Sequence, residues 1–284
     1  MIKCGFIDHH LDNIHAKLAL QLLNRDLTGY DVRVVCAYES SPSGKVDWCN
    51  ENGIKRYHLA EEVVEQSDVI WLLAPDQCDD HLSLGKSAYK SGKKVFVDKY
   101  LANKLSDART IVSLCHSHGT ALLSSSALRF AVELESVVRD IKSAPSAMYA
   151  RGPGAWPGYA CHTIAPVLRV LGSDIEKMIN TGSPDVDVIS LVYADGRSGL
   201  LELRYGDNIQ QDFPWEFGIQ SSGKLLHFKV VDGKGFFANL VRHVAHWFCT
   251  GESNITVDEM LQMVWILENG RTSLDAGRVW LTPP

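Results

Sequence analysis

Eleven histidines and seven cysteines give this chain many side chains that could bind metal or attack as nucleophiles. Their spacing is the first test. His9, His10 and His15 cluster, His116 and His118 form a second group, and His243 and His246 share a helix face at i, i+3. None completes an HExxH or a cysteine–histidine zinc pattern, so no metal site is expected. Cys4, Cys36, Cys49, Cys78, Cys115, Cys161 and Cys249 are scattered, odd in number and without a CxxC pair. They read as reduced thiols, mostly small buried apolar groups. Ser124 to Ser126 does not sit in a G-x-S-x-G elbow, which removes the local signature of a serine hydrolase. Lys99 directly follows a strand-like run, and His162, ahead of a helical run, titrates in the neutral range with little tuning.

The elements that must position these groups alternate along the first part of the chain. Strand-like runs at 2–7, 31–38, 68–73, 94–97 and 121–124 are short, apolar and β-branched. Helical patterns fall between them at 14–23, from Val46 to Glu51, at 59–66, 81–91 and 106–116, with Asp12 or Asn13 as N-cap of the first. This order predicts parallel strands joined by right-handed crossovers, a doubly wound sheet ending near residue 124. Ligands of such sheets sit beyond the strand C-termini. The loops Asp8–Asn13, Tyr38–Ser41, Ala74–Gln77 and Asp98–Leu101 therefore face one crevice.

The second part reads differently. Helical patterns at 130–141 and 164–171 flank a strand-like run at 148–151. Runs at 186–193, 198–204, 217–220 and 225–230 are separated by turn dipeptides, which predicts a largely antiparallel open sheet. Helices at 236–249 and 257–273 and a last strand at 278–281 complete it. The expected fold class is α/β, a Rossmann-type domain over 1–124 followed by an α+β domain over 125–284 for substrate binding and oligomerisation.

Composition excludes several function classes. The net charge is −6 over 284 residues, with no basic run of the kind that grips nucleic acid. No stretch of about twenty apolar residues could span a membrane. The N-terminus enters a strand-like run without the apolar core of a signal peptide, so the expected location is the cytoplasm.

Four stretches resemble the glucose–fructose oxidoreductase, inositol dehydrogenase and rhizopine-catabolism family (Gfo/Idh/MocA). They are Leu73-Ala74-Pro75 with His81, the run from Gly92 to Ala102 containing Asp98-Lys99-Tyr100, the run from Gly158 to Ala165 containing His162 with Leu171-Gly172 beyond it, and Phe236 to Leu281. Four departures stand out. The family's glycine-rich turn is replaced by Asp8-His9-His10-Leu11-Asp12-Asn13, whose carboxylates would repel phosphate. Tyr100 replaces a proline, so the unusual backbone at that turn is expected to be lost. Gly158 stands where the family usually has its catalytic aspartate, and Ala165 replaces a later one.

The resemblance implies an enzyme that transfers a hydride between NAD(H) or NADP(H) and a hydroxyl or ketone of a sugar, sugar acid or cyclitol. Such a reaction needs an acid or base within hydrogen-bond reach of the oxygen. The resemblance assigns Lys99 and His162 to that work, with Tyr159 as a substitute for the missing aspartate. The cofactor set is Asp8, His9, Glu39, Ala74, Pro75, His81, Asp98 and Lys99; Glu39 after the second strand favours NAD through the adenosine ribose. Trp156 and Tyr159 offer aromatic faces to a sugar ring, and Arg129 and Arg151 could bond its hydroxyls. The turn-rich run 152–158 could serve as a lid. Two alternatives stay open: a cofactor-free sugar-binding or regulatory protein, and a non-redox lyase or epimerase using bound NAD. The expected partners are a small sugar or polyol and further copies of the chain, as a dimer or tetramer.

Overall fold

The structure is a computed structural model and describes residues 1–25, 28–42, 44, 47–76, 78–154, 156–206 and 213–284. The chain divides into two compact units, Met1–Ser125 with Ala238–Met260, and Ser126–Phe237 with Leu261–Pro284. The first boundary lies one residue from the position read in the sequence. The return of 238–260 to the first unit was not anticipated.

The first unit runs β1 (Ile2–Asp8), α1 (Ile14–Asn24), β2 (Val32–Glu39), α2 (Trp48–Glu51), β3 (Lys55–Arg56), α3 (Ala60–Gln66), β4 (Val69–Leu72), α4 (His81–Leu84), α5 (Lys86–Tyr89), β5 (Lys94–Asp98), α6 (Leu105–Ser117) and β6 (Ala121–Ser125). The strands form one sheet in the order β3-β2-β1-β4-β5-β6, and every pairing is parallel. That is the doubly wound dinucleotide-binding order, with its switch point beside β1. Of the helix expected from Val46, that residue lies outside the described residues. The expected helix at 81–91 is two short helices. Tyr89 folds its ring over Gly85, where an added Cβ would lie 2.4 Å from Tyr89 Cζ, and its hydroxyl donates to the His81 carbonyl at 2.9 Å.

Aromatic side chains explain why residues 238–260 belong here. Trp71 of β4 is fully buried, 4.8 Å edge-on from Phe96 and 6.5 Å from Phe248. Phe248 lies on α9 (Gly235–Thr250), and Lys94 Nζ donates to its carbonyl at 2.8 Å. Burial of each such side chain is worth about 1.5–3 kcal/mol.

The second unit holds α7 (Val132–Asp140), β7 (Ala147–Pro153), α8 (Ala160–Leu171), β8 (Ile175–Asn180), β9 (Val186–Tyr193), β10 (Ser198–Arg204), β11 (Glu216–Ser221), β12 (Lys224–Lys229) and most of α10 (Val257–Asp275). Its sheet order is β12-β11-β7-β10-β9-β8, antiparallel except for β7 beside β10. Strict alternation of burial along β9 and β10 marks one covered face and one barer face. On the barer face Leu200 and Leu225 are exposed, beside a shallow depression of 360 Å³. β8 was missed because Glu176-Lys177 interrupts its apolar pattern. The strand expected at 278–281 is a single bridge between Met178 and Leu281. Among the described residues, no helix is long and apolar enough to cross a membrane.

Gly5 sets how closely α3 can lie on β1. A Cβ there would fall 2.5 Å from Val63 Cγ1 and 2.7 Å from Ser67 Oγ. Gly5→Ala is expected to destabilise the protein by about 1–3 kcal/mol through overpacking. A urea melt checks this, and an unchanged midpoint would contradict it.

Candidate active site

The first unit gathers its polar residues at the C-terminal ends of β1, β2, β4 and β5. Asp8 closes β1 and is 1% exposed. Its Oδ1 accepts from the His9 amide at 2.7 Å and the Ala74 amide at 3.0 Å, and its Oδ2 accepts from Asn13 Nδ2 at 2.9 Å. Asn13 also caps α1, since its Oδ1 accepts from the Ala16 amide at 3.0 Å. The turn that departs from the glycine pattern is therefore stapled by its own side chains. Burial pushes the Asp8 carboxyl up to about 7, against the pull of the three hydrogen bonds.

His9 ties this turn to its neighbours, with Nδ1 2.7 Å from Ser40 Oγ and Nε2 3.0 Å from Asp80 Oδ2. Glu39 is turned inward. Its Oε1 accepts from the Leu11 amide at 2.7 Å and its Oε2 from Arg56 Nη1 at 2.6 Å. Both oxygens thus have protein partners, and Glu39 holds the turn instead of presenting a free carboxylate to a ribose.

Ala74 and Lys99 both sit at positive φ, 47° and 64°. Non-glycine residues hold such angles only where their surroundings impose them, often at functional loops. The Lys99–Tyr100 bond is not cis, in line with the loss of the proline, while Lys99 itself holds a positive φ in the turn. Pro75 follows Ala74 and belongs to the same loop; Gln77, expected to close it, lies outside the described residues. His81 joins the two strained loops. Its Nε2 is 3.1 Å from the Leu73 carbonyl and its Nδ1 is 3.1 Å from the Tyr100 carbonyl. Full burial lowers its pKa, so the neutral ring donates to one loop at a time.

Asp98 is 1% exposed and faces His15, whose Nδ1 lies 2.5 Å from its Oδ2. Burial acts to raise the Asp98 carboxyl, but the His15 charge and hydrogen bond outweigh it and hold it below its ordinary range. Burial likewise acts to lower His15, and Asp98 outweighs it and raises that imidazole. Lys99 is 7% exposed, with its Nζ 3.6 Å from Asp76 Oδ1. His15 and Asp76 were not foreseen as parts of this group. The signal for His15 was its place in the first turn of α1, two residues after the cap Asn13.

A cavity of 630 Å³ opens in this unit, lined by His9, Tyr38, Ser40, Asp80, Lys86 and Lys90 among others. Its size and its place past β1 and β2 suit one half of a dinucleotide. Of these, His9 was named from the sequence as a cofactor residue, and Tyr38 and Ser40 belong to a loop expected to face the crevice.

In the second unit, His162 lies in the first turn of α8 with Nδ1 2.7 Å from Ser126 Oγ. Tyr159 stands edge-on to it at 5.5 Å and Trp215 at 5.9 Å. Tyr159 and Trp215 are parallel within 2°, 6.3 Å apart. Trp215 was missed because it lies more than fifty residues along the chain from Tyr159 and His162. Gly152 makes room for it, since a Cβ there would lie 2.4 Å from Trp215 Cδ1.

The remaining candidates separate. Arg151 pairs with Glu216 at 3.6 Å and covers the Phe213 ring at 3.9 Å. Arg129 is 2% exposed, and its carbonyl accepts from Arg169 at 2.6 Å. Trp156 is a packing residue: its indole donates to the Leu267 carbonyl at 2.7 Å and its ring abuts Gly270. In the 152–158 run, Ala155 lies outside the described residues. A Cβ added at Gly158 would meet no atom within 4 Å. The cysteines are poor nucleophiles; burial pushes the Cys78 thiol up to about 12. Among the described residues, no three His, Cys, Asp or Glu side chains converge as a metal would require.

The parallel sheet and the polar crown at its strand ends define a Rossmann-type unit. Residues 6–125 match the family model GFO_IDH_MocA, described as an oxidoreductase family with an NAD-binding Rossmann fold. Solved structures extend the likeness in fold to the whole chain. A probable dehydrogenase from Thermotoga maritima superposes with a TM-score of 0.79 at 14% identity, covering 99% of this chain and 98% of that one. Myo-inositol 2-dehydrogenase from Lactobacillus plantarum gives 0.77 at 16%, covering 100% and 99%. An oxidoreductase from Agrobacterium radiobacter, solved with NAD+, L-tartaric acid and magnesium, gives 0.77 at 12%, covering 99% and 98%. No curated protein matches the chain by sequence.

The shifted groups predict how stability depends on pH. Asp8 and His15 both have raised pKa values in the folded state. Each contributes stability that is complete below its unfolded pKa and lost as pH rises through the folded one. Asp98, with a lowered pKa, contributes above its unfolded value and loses it as pH falls. The melting temperature should therefore peak in mildly acidic buffer and fall as pH rises through about 7. Asp8→Asn should flatten the alkaline limb. Parallel wild-type and variant curves from pH 5 to 9 would contradict this assignment.

Proposed function

We propose that the chain is a nicotinamide-dependent oxidoreductase that moves a hydride between NAD(H) and a carbinol or ketone of a sugar, sugar acid or cyclitol. The observation that carries this reading is Lys99. It stands at the C-terminal end of β5 of a Rossmann sheet, nearly buried and locked at φ 64°. A lysine so held is placed to exchange a proton with a bound hydroxyl rather than to solvate a loop. The family's NAD-binding fold and the myo-inositol 2-dehydrogenase among the structural neighbours favour the same chemistry and a polyol substrate.

The residues of the first unit fit a dinucleotide, with one condition. The 630 Å³ cavity, walled by His9, Tyr38 and Ser40, would hold its adenosine half. The turn at Asp8 would lie toward its pyrophosphate and tolerates that charge when the carboxyl is protonated, as its raised pKa allows up to about 7. The bound nicotinamide would accept or deliver the hydride. Lys99 would move the hydroxyl proton, and the imidazole of His162 would hold or exchange a proton at its Nε2. Tyr159 and Trp215 would lie against an apolar ring face, and Arg151 would orient hydroxyls. Homo-oligomerisation through the barer sheet face carrying Leu200 and Leu225, and a cytoplasmic location, complete the proposal.

Turnover with NAD+ and myo-inositol, scyllo-inositol and a panel of aldoses tests it. Lys99→Met should lower kcat by about 10²–10⁴-fold with little change in nucleotide binding. Gly158→Asp, whose Cβ would meet no atom within 4 Å, should raise kcat. Lys99→Met with wild-type turnover would sink the role given to this lysine.

A further inference from the structure

We propose that Ser126 is a positioning residue for His162, fixing the imidazole through a neutral hydroxyl instead of a carboxylate. The inference rests on the proton-handling role given to His162 above, but the geometry stands by itself. Ser126 is fully buried, and its carbonyl accepts from the Arg129 amide at 3.3 Å as the 3₁₀ turn Ala127–Phe130 begins. The hydroxyl is thus presented from a fixed backbone. It lies 2.7 Å from Nδ1 of His162, which is itself fixed in the first turn of α8.

The choice of partner matters because of what a hydroxyl can do. A carboxylate only accepts. Within hydrogen-bond reach it stabilises the imidazolium and raises a histidine pKa by about 1–3 units. A serine hydroxyl donates to the lone pair of a neutral ring and, after rotating, accepts from the N–H of a charged one. Ser126 can therefore hold the ring through both protonation states while adding no charge, which suits a group that must both take and return a proton near neutrality. The other side chains placed around the ring agree with this. Tyr159, leading into α8, is titratable and stands edge-on, and Trp215, just before β11, is uncharged. Arg129 is the charged residue on the turn that follows Ser126 itself. Gly158 adds no carboxylate. No sequence pattern pointed to Ser126, which was weighed only as part of a hydrolase motif and set aside.

Histidine ring ¹⁵N spectra of the full chain, recorded from pH 5 to 9, test the proposal without any substrate. The His162 signals are identified by their loss in His162→Gln. In Ser126→Ala, the Nδ1 shift of His162 should move by several ppm as the bond to Ser126 is lost. In Ser126→Asp, the His162 midpoint should rise by about one unit or more. If Ser126→Ala folds and leaves the His162 shifts and midpoint unchanged, the proposal is overturned. Turnover with NAD+ and myo-inositol supplies the second readout. Ser126→Ala should lower kcat about tenfold at an unchanged KM and displace the pH profile. Ring shifts that respond to Ser126 in a protein that oxidises no polyol would count against the oxidoreductase reading and leave the positioning role standing.

Discussion

The first unit is organised around a buried carboxyl, Asp8, in the turn where the resemblance leads one to expect glycine. Asp8 ends the central strand, and three donors from three places close on it: the next amide in its own turn, the Ala74 amide after β4, and the Asn13 side chain that also caps α1. A carboxylate taken from water is costly unless it is hydrogen-bonded or neutral. Asp8 is hydrogen-bonded, and its raised pKa makes it neutral at modest cost. This one group sets the shape of the turn, the entry to α1 and the charge that a phosphate would meet. Glu39 and His9 reinforce the turn from β2 and from the loop leading into α4.

The same logic extends along the strand ends. His81 binds the loop after β4 to the loop after β5, and both loops carry a residue in the left-handed region. Strain of this kind costs about 1–3 kcal/mol per residue and persists where surroundings over-determine it. The His15–Asp98 pair lies beneath one of the strained residues and keeps a buried negative charge directly before Lys99. Lys99 thus emerges from a rigid, charged platform and not from a free loop. In the second unit, His162 is fixed with less charge, by one hydroxyl and two aromatic rings.

Much of this was legible in the sequence, for physical reasons. Continuous apolar runs bounded by turn residues announce buried parallel strands, so the sheet of the first unit could be read nearly complete. Only the two-residue edge strand Lys55–Arg56 carries no such pattern. Alternation of apolar and polar residues revealed the second sheet except at β8, where charged residues break the apolar pattern. The site was less legible. Lys99 and His162 could be found through resemblance, but their supporting partners could not. Ser126, His15 and Trp215 are ordinary residues whose importance comes from tertiary contacts across tens of residues. Glu39 has the type and place that suit ribose binding, and its bonds to the Leu11 amide and Arg56 are ones no spacing rule reveals. Trp156 likewise has a bond, to the Leu267 carbonyl, that lies 111 residues away in the chain.

The most direct test of this account is a calorimetric titration of the purified, cofactor-free protein with NADH at pH 6 and pH 8.5. If the turn admits a dinucleotide by keeping Asp8 protonated, NADH should bind at both values, about tenfold or more tightly at pH 6, with net proton uptake on binding at pH 8.5. Absence of binding at both values in folded protein would contradict the account and leave the altered turn as the mark of a protein that has given up its nucleotide.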